Sequence, residues 1–540
     1  MKGLATTLTV FSHPPPNLTR KQLTKLSTTD LLKKLGFIAQ PNAGLTHWLP
    51  LGKAVLDNVS DIIHKHHRDG GCVEVSLSSL SHNSIWSKTG RWQNNELYKL
   101  EDFCLAATAE EEITSLVTPF LNSYKKLPFI GYQLTRKYRN EIRSRGGLLR
   151  GREFYMKDAY SFDASKQEAL ASFDKMNRIY GKIFDELKLP YVKANADSGD
   201  IGGDLSYEWH IVNEVGEDTI VKCDSCNSCG NVERVRNSEG ERADESDVSY
   251  YLTNENELVC VYYPKGRKLS LKFVKEEDLV ELNEKIEGEK ALNSFEESNV
   301  DNLNTIYRLI DQNVGPGTKM PDLPVRFSKN HMISFQGLDI TEAQEGDVCI
   351  NCGNGHLHEM KGVEVGHTFY LGTKYSEPLN AEFIDKDNVR KPFEMGCYGI
   401  GVSRIVGVIA EIMRDEEGLR WPAAVAPIQV SVIQSGEHKI TGFINKLEQN
   451  EVKFEIDNST DIGFGKKLAK SKLIGIPLQI IVGKNYPVVE IETRGMFFTE
   501  KFHELHNEFG SQWGWSIEEG VHSVNIEHAD KVINALLKDM

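Results

Sequence analysis

A chain of 540 residues, 40% of them hydrophobic, can fill several cores, and at ~150 residues per domain it divides into three or four. No apolar run approaches the ~20 residues of a membrane helix, which excludes a spanning segment. A net charge of −15 excludes global attraction to nucleic acid, so such a partner has to be met by local basic patches.

Taken in chain order, the start is basic: Lys2, Arg20, Lys21 and Lys25 precede the first acid, Asp30, among many Thr and Ser. This composition fits a transit peptide over 1–27 and a mitochondrial-matrix location; an ordinary disordered start on a cytoplasmic protein is the alternative. Thr28 to Arg68 reads as a helix, a turn region at Gly44 and Pro50, and an amphipathic helix with Val55, Val59, Ile62 and Ile63 on one face. Val73 to Leu77 alternates like a strand. Glu110 to Tyr124 reads as a helix capped by Thr108. Two strands joined through Gly146-Gly147 follow, then an amphipathic helix from Gln167 to Leu187.

Between Cys223 and Cys352 the composition turns acidic and Asn-rich, which marks an inserted module. Cys223-x2-Cys226-x2-Cys229 and Cys349-x2-Cys352 have zinc-ligand spacing in Gly/Asn-rich turns, and remnant cysteines without metal are the other reading. Nine cysteines in a chain of this length are no disulfide scaffold and fit a reduced compartment. From Ala426 onward βα elements alternate, with strands at Ile428–Ile433, Lys453–Ile456 and Gln479–Val482. Helices lie around Phe443–Leu447 and Lys466–Leu473, a pattern that predicts a small α/β domain with a largely parallel sheet.

The chemistry concentrates in two places. Seven basic residues (Arg136, Lys137, Arg139, Arg143, Arg145, Arg150 and Arg152) fall within 17 positions. With a period of two, Arg139 and Glu141 share a strand face. A guanidinium suits an α-phosphate, a carboxylate accepts from an adenine amino group, and Phe154 offers a stacking face, which together make a grip for ATP. A solvated basic hairpin or an RNA-binding surface has the same spacing. Gly396 to Arg404 carries Gly399-Ile400-Gly401 without the third glycine of a dinucleotide motif. It reads either as a strand entering an apolar helix, with Arg404 aimed at a phosphate, or as core packing.

In this order, these segments resemble motifs 2 and 3 of class II aminoacyl-tRNA synthetases. The blocks Trp48-Leu49-Pro50-Leu51-Gly52, Gly90-Arg91-Trp92, Thr108-Ala109-Glu110-Glu111, Arg152 to Phe162, Val363-Glu364-Val365-Gly366-His367, Leu371 to Ser376 and Met395 to Gly401 are similar to those of the bacterial-type prolyl-tRNA synthetase family, in a mitochondrial, fungal-like form. The resemblance covers about Leu26 to Val221 and Gly346 to the C-terminus.

It implies an α+β class II catalytic domain, an antiparallel sheet flanked by helices, in two parts at 28–222 and 353–424. Between them lies an inserted module at 223–352, shorter than the usual editing domain, and a C-terminal α/β anticodon-binding domain follows at 425–540. It further implies attachment of L-proline to tRNA(Pro) with ATP and Mg²⁺, by a homodimer with no membrane or DNA partner. A non-catalytic tRNA-binding or regulatory protein and a class II ligase for another amino acid are the competing readings. In motif 1, Gly71 to Ser78, Ser78 stands where the family usually has proline.

By motif match Arg139 bridges the α-phosphate and the amino-acid carboxylate, Glu141 reads adenine and Phe154 stacks. Arg150 and Arg404 hold the outer phosphates, with Glu364 near ATP or metal. Thr108 and Glu110 hold the proline nitrogen, and His367, Phe369 and Cys397 line the ring pocket or serve as packing. The metal ligands, if zinc is bound, are Cys223, Cys226, Cys349 and Cys352. Lys466, Lys467, Lys470 and Lys472 beside Phe464 offer an RNA-backbone helix, or simply a solvated face. The usual editing motifs do not map onto the insertion, Gly315-Pro316-Gly317 being insufficient, so reduced or absent hydrolysis of mischarged tRNA is expected.

Overall fold

The computed structural model describes residues 18–540 except 145–146, 204, 237, 239, 300, 302, 460–461 and 496–499. Most of the expected transit peptide, Arg145, and the Gly146 half of the hairpin tip lie outside the described residues. The chain divides into two compact units. One holds the residues up to Tyr191, Asp200–Asp204 and Val365–Met540; the other holds Val192–Gly199 and Leu205–Glu364. No helix among the described residues is long and apolar enough to cross a membrane.

The first unit is built on an antiparallel sheet. The end of strand Leu357–Gly372 pairs with Glu394–Gly401, which pairs with Glu153–Asp163, which pairs with Phe129–Tyr138. Val73–Glu74 joins the edge parallel to Phe129–Tyr138, so the strand expected to reach Leu77 spans two residues. Helix Pro50–Asp69 starts on a proline at its first position, where a missing N–H costs nothing, and it buries Val55, Val59, Ile62 and Ile63 as their spacing predicts. It packs with helices Lys166–Glu186 and Val402–Met413 behind the sheet.

Lys157 lies in that packing. Its ammonium donates to Tyr180 Oη at 2.8 Å and to the Tyr398 carbonyl at 3.0 Å, and burial pulls its pKa down to about 7. The neighbouring residue, Asp158, points to the opposite face, as the strand period requires. That second face carries the candidate site.

The C-terminal part of this unit is a six-stranded sheet. Strands Phe454–Asp457, Val430–Gln434 and Leu478–Val482 are parallel, as expected. The sheet continues antiparallel through Val488–Thr493, Val521–Asn525 and Ser516–Glu518, so it is mixed rather than largely parallel. Beyond Val482 two of the connections, 483–487 and 519–520, are short turns that can join only antiparallel neighbours, while the longer one, from Thr493 to Ser516, carries helix Glu500–Trp513.

In the second unit five strands stand in the order Leu282–Glu287, Ser246–Thr253, Leu258–Pro264, Ile306–Asp311, Met332–Leu338. The central strand is buried on both sides. Leu258, Cys260 and Tyr262 pack with Ala291 and Phe295, while Val259 and Val261 pack with Val274. A continuous apolar run is what a strand covered by helices on both faces needs.

Candidate active site

The register of the sheet sets the floor of the site. Phe369 lies opposite Cys397 and Cys397 opposite Tyr160; two residues along, His367 lies opposite Gly399 and Gly399 opposite Asp158. These rows share a face because side chains two apart on a strand point the same way. Over Gly399 a Cβ would meet nothing within 4 Å, so the glycine leaves open space between Asp158 and His367.

One end of this face holds a buried ionic cluster. The Thr108 hydroxyl lies 2.7 Å from both carboxylate oxygens of Glu110. Arg91 Nη1 donates to Glu110 Oε2 at 3.0 Å and to Glu111 Oε1 at 3.1 Å, with its guanidinium over the rings of Trp86 and Tyr375. The Cys397 thiol donates to Glu110 Oε1 at 3.2 Å. Tyr160 Oη accepts the Ala109 N–H at 2.9 Å and donates to Asp158, which also takes Lys137 and Gln133.

Burial works against the Glu110 charge, but Arg91 and Thr108 outweigh it and hold the carboxyl below its ordinary value. Its neighbour Glu111 is the reverse: burial, aided by the Glu110 charge and opposed by Arg91, pushes it up to about 7. Burial and Glu110 together hold the Cys397 thiol well above its usual range, so it is a protonated donor.

Thr108 is not a helix cap. Helix Glu110–Val117 is preceded by Ala109 without a side-chain cap bond, because the Thr108 hydroxyl has a stronger acceptor in the Glu110 carboxylate. The helix also ends at Val117, short of the expected Tyr124.

The other end of the face is the arginine loop. Strand Phe129–Tyr138 ends one residue before Arg139, and its partner starts at Glu153, so Arg139, Glu141 and Arg150 sit in the connecting loop rather than on strand faces. Two links still place Arg139. Its N–H bonds the Arg152 carbonyl at 3.0 Å, and the Tyr138 N–H bonds the Ala106 carbonyl at 3.0 Å, tying the loop to the segment that leads into Thr108. The Arg139 guanidinium lies over the Phe154 ring, 5.4 Å from its centroid. Glu141 pairs with Arg150 at 2.8 Å; burial raises the Glu141 carboxyl, and Arg150 more than reverses this, leaving it lowered.

Arg404 donates from Nε to the Leu149 carbonyl at 2.7 Å, which brings it beside the same loop. His367 and Phe369 stack with ring centroids 3.7 Å apart. Glu364 is the last residue of the second unit.

In that unit the structure gathers four of the five spaced cysteines. The Sγ atoms of Cys223, Cys226, Cys349 and Cys352 all lie within 4.8 Å of one another. Cys229 is buried elsewhere, with Ala194 and Ile220.

Comparison with known proteins decides the family. The model of the class II tRNA synthetase core domain (G, H, P, S and T) matches residues 94–413, and the anticodon-binding domain model matches 424–502. The chain is 41% identical over 567 residues to a probable mitochondrial proline–tRNA ligase of Saccharomyces cerevisiae, covering 97% of each. The chain belongs to the proline–tRNA ligases.

Against a cytoplasmic proline–tRNA ligase of Candida albicans the identity is 40% over 556 residues, covering 96% of this chain and 95% of that one. Among solved structures, prolyl-tRNA synthetase from Cryptosporidium parvum, complexed with halofuginone and AMPPNP, aligns at a TM-score of 0.58. It covers 95% of this chain and 75% of that one at 13% identity, a likeness of fold. A proline–tRNA ligase thus has the fold class that the order of the motifs led us to expect.

Sequence reasoning missed Arg91, Tyr160 and Asp158 as members of this proline–tRNA ligase's buried cluster. Arg91 stands in a quoted block, Gly90-Arg91-Trp92, but nothing in a separation of 19 residues announces its ion pair with Glu110. The lysine helix also needs correction. Lys467 is buried and pairs with Asp457 at 3.3 Å, and Lys472 pairs with Glu492 at 2.8 Å, so neither is a free cation for RNA; Lys466 remains exposed.

Proposed function

We propose that the protein joins L-proline to tRNA(Pro) in two steps through prolyl-adenylate. The observation that carries this reading is the ionised, buried Glu110 beneath Thr108, in a family of proline–tRNA ligases. Glu110 takes the hydrogen of the Thr108 hydroxyl, which leaves the Thr108 oxygen lone pairs to accept from a secondary ammonium. Phe369, His367 and Cys397 then border the ring.

At the other end, Arg139 meets both the proline carboxylate and the α-phosphate of ATP, Phe154 stacks on adenine and Glu141 accepts from its amino group. The carboxylate attacks the α-phosphorus in line and pyrophosphate leaves; positioning and charge stabilisation supply the rate. Arg150 and Arg404 hold the outer phosphates. The Glu141–Arg150 ion pair has to open for these roles, and its partial exposure makes that cheap. Mg²⁺, when bound, would neutralise phosphate charge. In the second step the 3′-terminal adenosine hydroxyl attacks the activated carbonyl and AMP leaves. Residues 28–222 and 353–424 do this chemistry, while 425–540 bind the anticodon arm.

Exposed Val73, Leu80, Leu100 and Phe103 around motif 1 support a homodimer, testable by light scattering. The basic, acid-free start and the yeast relative support a mitochondrial location, which imaging of a fluorescent fusion tests. Reduced cis editing is tested by deacylation of alanyl-tRNA, and persistent hydrolysis by the purified protein would sink it.

Proline-dependent exchange of labelled pyrophosphate into ATP, against a panel of amino acids and with Arg139→Ala, tests the whole reading. Exchange with proline alone, lost in the variant, is the expected result. Exchange with another amino acid points to a different ligase, and none at all to a regulatory subunit.

A further inference from the structure

We propose that Cys223, Cys226, Cys349 and Cys352 form a structural zinc site that clamps the base of the inserted module. The two pairs arrive on different turns. Cys223 ends strand Asp218–Cys223, whose N–H to the Ser228 carbonyl closes the first turn at 2.8 Å. Cys349 opens the second, closed by its N–H to the Gly355 carbonyl at 2.9 Å. Across the turns Cys223 Sγ lies 3.7 Å from Cys352 Sγ, and Cys226 Sγ 3.8 Å from Cys349 Sγ. A tetrahedron with Zn–S bonds of ~2.3 Å has sulfur–sulfur edges of ~3.8 Å. The same separation is far too long for a disulfide, and all four cysteines are free thiols.

The surroundings are built for thiolates. Backbone N–H groups of Ser225 and Cys226 point at Cys223 Sγ at 3.4 and 3.5 Å, and that of Gly355 at Cys352 Sγ at 3.3 Å. Such donors stabilise sulfur that carries negative charge, as outer partners of metal ligands do. The turns are held face to face independently of the sulfurs. The Asp224 carboxylate accepts the His356 N–H at 3.0 Å, and Asn351 Nδ2 donates to Ser228 Oγ at 2.6 Å. Gly355 allows the approach: a Cβ there would stand 2.4 Å from Cys223 Sγ and 2.6 Å from Ser225 Cβ.

Four sulfurs fill every position of a tetrahedral ion, so the site is structural and leaves no place for a substrate. Soft thiolates in that geometry select zinc over magnesium or calcium. Binding releases the thiol protons to solvent as each sulfur takes up its metal bond. The need for a clamp is local. The apolar cluster under the turns is small, five buried residues (Val221, Cys223, Ala343, Cys349 and Leu357), and the paired cysteines Cys226 and Cys349 are 123 residues apart. Closing so long a loop is where a cross-link reduces the freedom of the unfolded chain most.

Metal analysis of the full-length chain purified without chelator should find about one zinc per chain. Replacement by Co²⁺ should give the visible and charge-transfer bands of a tetrathiolate site. Cys226→Ser and Cys349→Ser should each lower bound zinc at least about tenfold, and Cys229→Ser should leave it unchanged. If the serine variants fail to fold, the cobalt spectrum of the unaltered chain still decides. Absence of stoichiometric metal with no cobalt–thiolate bands, or iron in place of zinc, overturns the site. After chelation, limited proteolysis should cut faster between residues 223 and 352. Unchanged cutting with the metal gone overturns the clamp.

Discussion

The Thr108–Glu110–Arg91 cluster and the Arg139–Arg152 loop both use ion pairs, and burial makes them different devices. The side chains of Arg91 and Glu110 are 11% and 0% exposed, whereas those of Arg150 and Glu141 are 47% and 18% exposed. Without water, each charge of the first cluster has to find its partner inside the protein, so its geometry is fixed before any ligand arrives. In the loop, water takes the place of a lost partner, so Glu141 and Arg150 can part from each other at little cost. The difference teaches that the Glu110 cluster is a mould and, in the reading we propose, the arginine loop a clasp for the nucleotide.

The strongest way to break that contrast is at Glu110. Glu110→Gln keeps the shape and removes the charge, and it should lower kcat/KM for proline in pyrophosphate exchange by about a thousandfold, or ~4 kcal/mol. A loss under tenfold would mean the cluster is only packing. Next comes Arg91→Leu, which strands Glu110 and Glu111 without their cation. It should reduce unfolding free energy by about 3–5 kcal/mol in urea titrations, and a neutral result would deny the mould its rigidity.

The clasp predicts a smaller, differently shaped effect. Arg150→Ala should raise KM for ATP about tenfold with KM for proline unchanged, while stability moves by no more than about 1 kcal/mol. Loss of stability comparable to that of Arg91→Leu would erase the distinction.

The subtlest test is one of pH. Burial holds Glu111 at about 7 against an ordinary 4.5. Between those values the folded protein keeps a proton that the unfolded chain has released, so the contribution of Glu111 to stability falls as pH rises through the window. Glu111→Gln cannot lose that proton and should gain on the unaltered chain from about pH 4.5 to about 7 in thermal melts. A difference independent of pH would place the titration elsewhere.

Periodicity carried most of the catalytic fold into view. Val55, Val59, Ile62 and Ile63 announce their helix because their spacing is that of one buried face, and the hairpin around the arginines is legible from its alternation. What escaped was set by which side chain claims which partner, something that spacing alone does not show even at short range. Thr108 looks like a cap until the Glu110 carboxylate is seen to claim its hydroxyl, and Lys467 looks solvated until Asp457 draws it inward. The two strands expected to carry Arg139 and Arg150 stop short of them, because a loop lets exposed cations swing where a ladder would fix them.

Cys397 has a consequence for how the molecule ages. A thiol beside a binding site is ordinarily a point of chemical weakness, since peroxide and electrophiles attack the thiolate. Here burial suppresses its ionisation, and the carboxylate that receives its hydrogen bond adds to the effect. Burial and the neighbouring charge together keep this sulfur protonated, and oxidative damage should register on exposed sulfur long before it reaches this one.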